Sequence, residues 1–243
     1  FNIMVDSIKS KIDELELSVH QREDFVSNFT HELKTPMTSI MGYAKVLKQD
    51  KYTKEDKEKA IDYIYSESKR LETLSHKLLD LLELSDGQIN MTTINTKEYF
   101  KEFEALAKAR LNPINLKLDI ENSNILGDAD LLTTCFMNLV ENGKKASEEN
   151  SEIRIVGKKK KDKYKLWVID KGIGIESKEL SRITENFYMV DRSRSKKKGG
   201  YGIGLSLCER IAKLHNTNLT FESVVGEGTT VSLELEMVKN ETK

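Results

Sequence analysis

From Val5 to Leu47 apolar residues recur at alternating spacings of three and four: Val5, Ile8, Ile12, Leu15, Val19, Val26, Phe29, Leu33, Pro36, Ile40, Tyr43 and Leu47, with Arg22 the charged exception. This is a heptad stripe in register with Phe1 and sustained for about seven repeats, so it predicts one long helix. At about 1.5 Å per residue that helix is roughly 70 Å long. A helix of that length in water needs a partner along its apolar seam. Thr53 followed by Asp56 reads as a capping box opening a second helix. Ile61, Ile64, Tyr65, Leu71, Leu74, Leu78, Leu81 and Leu82 form its apolar face, and Gly87 is its expected stop. Two helices joined by a short polar loop make a hairpin, and two hairpins make a four-helix bundle, so a homodimer is expected.

After Gly87 the pattern changes. Residues 88–98 are polar and threonine-rich and read as a linker. Alternating stretches at 116–120, 152–158, 164–170, 219–223 and 228–237 predict strands, while 97–111, 128–147 and 202–215 read as helices. The run Lys158 to Lys161 falls between two strands and is expected to be a solvated hairpin loop rather than a nucleic-acid patch. The expected architecture is a helical hairpin followed by an α/β unit.

Composition narrows the function classes. Charged residues make up 33% of the chain at a net charge of -1, which gives no broad attraction to nucleic acid or to an anionic membrane surface. Its two cysteines, Cys135 and Cys208, are far apart and lack ligand-like neighbours. Neither a disulfide framework nor a zinc site is expected, and a reducing cytosol fits. No apolar run approaches the length of a membrane span.

"FTHELKTPM" (29–37) carries the first candidate chemistry. With Val26 and Leu33 at a and Phe29 at d, His31 falls at f, away from the seam. Pro36 cannot donate to the carbonyl of Glu32, so the helix is expected to kink or loosen there. An exposed imidazole beside such a point suggests a site that moves or admits another body. His20, His76 and His215 read as ordinary surface or core histidines.

Four motifs in the second half suit phosphate chemistry. "NLVENGKKAS" sets Asn138, Asn142 and Lys145 on one helix face, and amide oxygens with an ammonium can hold Mg²⁺ and phosphates. "DKGIGI" places Asp170 at a strand end before Gly172 and Gly174. The glycines permit a tight turn, and the carboxylate can accept from an exocyclic amine such as that of adenine. "GGYGIGLSL" (199–207), with Gly200, Gly202 and Gly204, runs a glycine loop into a helix whose free N–H groups can cradle phosphate. It lacks the glycine-lysine-threonine ending of a Walker loop. "GEGTT" (226–230) adds a turn before a strand.

Together these residues resemble the sensor histidine kinases of two-component systems, over essentially the whole chain. "FVSNFTHELKTPMTSIMGY" is similar to the histidine box, "NLVENGKKAS" to the N box, "DKGIGI", "GGYGIGLSL" and "GEGTT" to the glycine boxes. "NFYMVDRSRS" (186–195) resembles the phenylalanine box and ATP lid. The resemblance implies a coiled-coil signalling helix (1–20), a dimerisation and phosphotransfer domain (21–87), a linker (88–98) and a catalytic domain (99–243). The fold implied for the last is a two-layer α/β sandwich of the Bergerat (GHKL) type. It further implies that ATP, with Mg²⁺, phosphorylates His31 and that the phosphoryl group passes to an aspartate of a response regulator. Glu32 would be the base or orienting partner of His31, although neighbouring residues do not face each other on a helix. Asn142 would ligate Mg²⁺ with support from Asn138, and Lys145 would contact phosphate. Asp170 would accept from adenine with Thr229 near the base, and Gly200, Gly202 and Gly204 would let the lid close. Thr35, one turn from His31, would orient water in a phosphatase reaction on the regulator; the plainer reading is a β-branched residue suited to the position before Pro36.

Three positions depart from the family pattern. Gly143 stands where alanine is usual, and Asn186 and Met189 occupy places often held by arginine. Arg192 and Arg194 remain as lid cations, and which of them meets the γ-phosphate stays open. A chain that starts at Phe1, already in heptad register, is expected to be the cytoplasmic part of a membrane-anchored receptor whose sensor lies upstream. Two other readings are an ATPase of the gyrase or heat-shock chaperone type, which would lack the histidine-bearing hairpin, and a non-catalytic scaffold, which would have damaged ATP motifs.

Overall fold

The structure is a computed structural model that describes residues 2–83, 89–191 and 200–238. The expected stop at Gly87 and the lid residues Arg192 and Arg194 lie outside the described residues. The chain divides into two compact units, Phe1–His76 and Lys77–Lys243.

The first unit is built from α1 (Asn2–Leu47) and most of α2 (Lys54–Glu83). The capping box forms as expected: Thr53 donates its backbone N–H to the Asp56 carboxylate at 3.1 Å, and the Asp56 N–H donates to the Thr53 hydroxyl oxygen at 3.1 Å. This satisfies two of the orphan donors at the start of α2. The hydrogen bonds from Thr53 hold the Asp56 carboxyl below its ordinary range. Across the hairpin, Tyr43 stacks on Tyr63 with ring centroids 4.5 Å apart and planes within 6°. Pro36, Ala60, Leu74 and the carboxyl-bearing Glu32 are buried, while the stripe positions Val5, Ile8, Ile12, Leu15, Val19 and Val26 are exposed.

The expected loosening at Pro36 is not seen as a break, because α1 is α-helical through the proline. Hydroxyls on both sides bond nearby carbonyls: Thr35 to His31 at 3.2 Å, Thr38 to Lys34 at 2.8 Å and Ser39 to Thr35 at 3.2 Å. All three acceptors are carbonyls other than that of Glu32, the one a residue 36 N–H would have reached.

The second unit contains β1 (Thr92–Asn95), α3 (Thr96–Arg110), β2 (Asn115–Ile120), β3 (Asn124–Gly127), α4 (Ala129–Ala146), β4 (Glu152–Lys160), β5 (Lys163–Asp170), α5 (Gly204–Leu214), β6 (Thr220–Val224) and β7 (Gly228–Glu236). Its main sheet has the order β2-β4-β5-β7-β6, with β2 and β4 parallel and the other neighbours antiparallel. Ile153 and Ile155 of β4, Leu166 and Val168 of β5, and Val231, Leu233 and Leu235 of β7 are buried. In β4 and β5 they alternate with more exposed positions, as a sheet covered on one face requires, whereas Ser232 of β7 is buried as well. The helices bring Phe100, Phe103, Phe136, Leu139, Leu207 and Ile211 to the core, and Phe100 meets Phe136 edge to face at 5.2 Å.

The stretch read as a linker is corrected here. Thr92–Asn95 is a strand paired antiparallel with β3, and Thr96 begins α3. Asn95 joins the two elements: its side-chain oxygen accepts from the Glu98 N–H at 3.2 Å, and its amide donates to Asn124 at 3.3 Å. The lysine run is also corrected: Lys158, Lys159 and Lys160 belong to β4 and pair with β5, leaving Lys161 and Asp162 as the turn, and Lys158 pairs with Asp119 at 2.8 Å.

Candidate nucleotide site and phospho-acceptor histidine

His31 lies on α1 with its side chain exposed. Thr35 is also exposed, one turn on, and its hydroxyl donates to the His31 carbonyl at 3.2 Å. Glu32 is only 8% exposed. Adjacent helix positions point about 100° apart, so the fold turns His31 outward and Glu32 inward.

In the second unit, α4 is aimed by its N-cap. Asp128 Oδ1 accepts from the N–H groups of Asp130 and Leu131, both at 3.1 Å. The Asp128 N–H in turn donates to Nε2 of His215 at 3.0 Å, and His215 Nδ1 lies 2.8 Å from the Ile211 carbonyl. The ring therefore accepts at Nε2 and donates at Nδ1, which defines a neutral imidazole tying the start of α4 to the end of α5. Burial pushes its pKa down. His215 is structural, as expected.

Asn142, Lys145, Gly200, Gly202 and Gly204 line one cavity of about 230 Å³. Among the described residues the Asn142 amide has no hydrogen-bond partner. Lys145 Nζ pairs with Glu141 at 2.8 Å. Asn138 donates its amide N–H to the Thr134 carbonyl at 2.8 Å, and its oxygen would lie 3.0 Å from a Cβ placed at Gly204. Ile203, at the N-cap of α5, makes no side-chain capping bond. The first-turn N–H groups of α5 therefore remain available to an anion. Gly202 has φ +71°, and a Cβ there would lie 2.5 Å from the Phe187 carbonyl carbon. The glycine is thus required for the loop to pass Phe187 and enter the helix.

Asp170, Gly172, Gly174 and Thr229 form a second cluster, joined to the cavity through Ile173, whose N–H donates to the Ala146 carbonyl at 3.2 Å. Asp170 Oδ1 accepts from the N–H groups of Gly172 at 2.8 Å and Thr229 at 3.3 Å. Burial raises the Asp170 pKa, against the opposing pull of those two bonds. Gly143 fits closely here: a Cβ would lie 3.1 Å from the Asp170 Cβ and 3.6 Å from Oδ2. Ser223, which no motif indicated, organises the turn. Its hydroxyl donates to the Gly228 carbonyl at 2.9 Å, accepts from the Ile175 N–H at 2.8 Å and lies 2.9 Å from the Thr229 hydroxyl. Tyr188, inside the stretch resembling the phenylalanine box, lines the cavity and donates to Glu179, with Arg182 4.3 Å over its ring.

A larger cavity of about 400 Å³ is lined by Asn95, Ser123, Asn124, Lys159 and Asp162. None of the motif residues reaches it, so the chemistry favours the smaller one. Among the described residues no three His, Cys, Asp or Glu side chains cluster as metal ligands. A divalent cation would therefore depend on amide oxygens and on its own ligand's phosphates, and the unbonded Asn142 amide fits that role.

The chain thus carries an outward histidine on a helical hairpin and, in its second unit, glycine turns beside a half-buried carboxylate. Residues 21–87 match the His Kinase A (phospho-acceptor) domain, and residues 127–239 match the family described as Histidine kinase-, DNA gyrase B-, and HSP90-like ATPase. The chain belongs to the sensor histidine kinases, and its second domain is an ATP-binding one. It is 31% identical to sensor histidine kinase YkoH of Bacillus subtilis over 237 residues, 96% of this chain and 50% of that protein. It is 29% identical to sensor protein kinase WalK of Staphylococcus aureus over 224 residues, 88% of this chain and 54% of that protein. The chain thus spans about half the length of these relatives. The fold is similar to that of histidine kinase ThkA in its complex with response regulator protein TrrA, with TM-score 0.72, 21% identity, and coverage of 95% of this chain and 67% of that one.

Proposed function

We propose that this chain is an ATP-dependent protein histidine autokinase that phosphorylates His31 and passes the phosphoryl group to an aspartate of a response regulator. The observation that carries this reading is the exposed His31 on the hairpin of a chain that also holds the uncapped α5 terminus and the Asp170 turn. A neutral imidazole nitrogen attacks the γ-phosphorus; the P–N bond forms as the bond to the ADP oxygen breaks, and the imidazole N–H proton is lost to a base. Glu32 is that base or the group that orients the ring. Asp170 Oδ2 accepts from the adenine amine, Thr229 stands beside the base, and Lys145 with the α5 N–H groups receives the phosphates. Arg192 and Arg194 are the lid cations. Magnesium held by Asn142, with Asn138 next to it, would neutralise charge on the phosphates.

Supporting a homodimer is the exposed heptad stripe from Val5 to Val26, which needs a second helix to cover it. The regulator partner is supported by the ThkA complex, in which a histidine kinase is seen with its response regulator. No described helix is long and apolar enough to cross a membrane; on this reading the chain is the cytoplasmic part of a membrane-anchored sensor. The domain limits proposed are 1–20 for the signalling helix and 21–87 for the phosphotransfer domain, with the catalytic domain of 99–243 extended back to take in β1 and the start of α3.

Incubation with γ-labelled ATP and magnesium tests the proposal. Label should appear on protein, be acid-labile and alkali-stable, and vanish in His31→Gln, while nucleotide affinity is kept. Labelling of the variant at the parental level removes His31 from the mechanism, and release of free phosphate alone supports the ATPase reading.

A further inference from the structure

Three polar atoms in the hairpin are shut off from solvent: Glu32 Oε2 on α1, and Glu67 Oε2 and Arg70 Nε on α2. Arg70 Nη1 lies 3.7 Å from Glu67 Oε2, and the two side chains are only 19% and 22% exposed. The Tyr43–Tyr63 stack sets the register of the hairpin. Counting equally far from each ring, back along α1 and forward along α2, pairs Glu32 with the level of Leu74, which is fully buried. Arg70 is one helical turn from that level, a distance its own side chain can span. Glu67, a further turn along α2, is level with Ser39 by the same count, so the Arg70 guanidinium stands one turn from each carboxylate's level, between them along the hairpin.

Buried carboxylates are costly without a cation, and a guanidinium fork can serve two of them at once. We infer that Arg70 is a positioning residue for phosphorylation of His31: its guanidinium offsets the buried carboxylate of Glu32 and the half-buried one of Glu67, and fixes where Glu32 points. Arg70 touches neither ATP nor the imidazole. It acts through Glu32, whose backbone is continuous with that of His31. Without the cation, Glu32 and Glu67 are left as like charges on either side of its place, and Glu32 leaves its set position. The inference rests on the histidine-kinase reading above.

The full chain, labelled with γ-labelled ATP, supplies the test. Arg70→Met should lower the autophosphorylation rate at least tenfold with the KM for ATP unchanged, since the nucleotide site belongs to the other unit. Arg70→Lys should keep at least a third of the parental rate. The double variant Arg70→Met/Glu67→Gln removes the cation together with the competing carboxylate and should recover to within threefold of the parent, which a purely structural role would not produce. Thermal unfolding followed by circular dichroism checks each variant, and Arg70→Gln is read against the same thresholds should Arg70→Met not fold. A parental rate in the single variant overturns the inference, as does a double variant no faster than the single. Absence of label on His31 in the parent would instead overturn the underlying reading.

Discussion

Replacing Asp170 by asparagine keeps the shape of the side chain and changes only what it can accept. Oδ1 already takes the N–H groups of Gly172 and Thr229 at 2.8 and 3.3 Å. Asparagine must therefore put its carbonyl oxygen at that position, which forces its NH₂ group to where Oδ2 now stands. An adenine amine arriving there meets a donor instead of an acceptor. The loss combines one hydrogen bond to a charged group with an unpaired donor, about 2–4 kcal/mol in all. That corresponds to a rise in the ADP dissociation constant of roughly 30- to 700-fold. Fold stability should move the other way. The folded pKa of Asp170 is raised, chiefly by burial, so the ionised carboxylate costs stability at neutral pH, and that cost fades as pH falls through the folded pKa. Asp170→Asn removes this cost. Calorimetric titration with ADP, paired with a melting curve at pH 7.5, reads both effects. An ADP affinity within threefold of the parent, or a loss of affinity that comes with a lower melting temperature, would refute the reasoning.

Gly174 has φ +67°, and a Cβ there would lie 2.0 Å from the Val224 carbonyl oxygen; Gly174→Ala should cost about 2–5 kcal/mol from left-handed strain and overlap together, and an unchanged melting temperature would contradict this. His215 is held neutral with its pKa pushed down by burial, so its contribution is intact above about pH 6.5 and is lost as pH falls through the folded pKa. Melting curves between pH 8 and 5.5 should show this acid limb flattened in the non-titrating His215→Gln, and an identical slope in both proteins would rule it out. Thr35→Ala should leave autophosphorylation and forward transfer intact while slowing regulator dephosphorylation at least tenfold; equal clearance by parent and variant would return Thr35 to a purely conformational role before Pro36.

The long helices, the capping box at Thr53 and the five strands of the main sheet were legible from periodicity because each is set by local spacing and by which face must be covered. The glycine turns were legible for the same kind of reason, since Gly174 and Gly202 occupy conformations that other residues rarely adopt. What local pattern could not carry was pairing between distant segments. β1 and β3 are four residues each, too short for alternation to register, and they exist because Asn95 meets Asn124 across the intervening helix and strand. Ser223 entered the site only when β6 was laid beside β7, and His215 became a two-sided connector only when its helix met the start of α4. The motif around His31 marked Glu32 as its neighbour in sequence, but the direction of its side chain depended on the second helix. Burial of Glu32 between α1 and α2 is a property of two helices packed together, and neither helix encodes it alone.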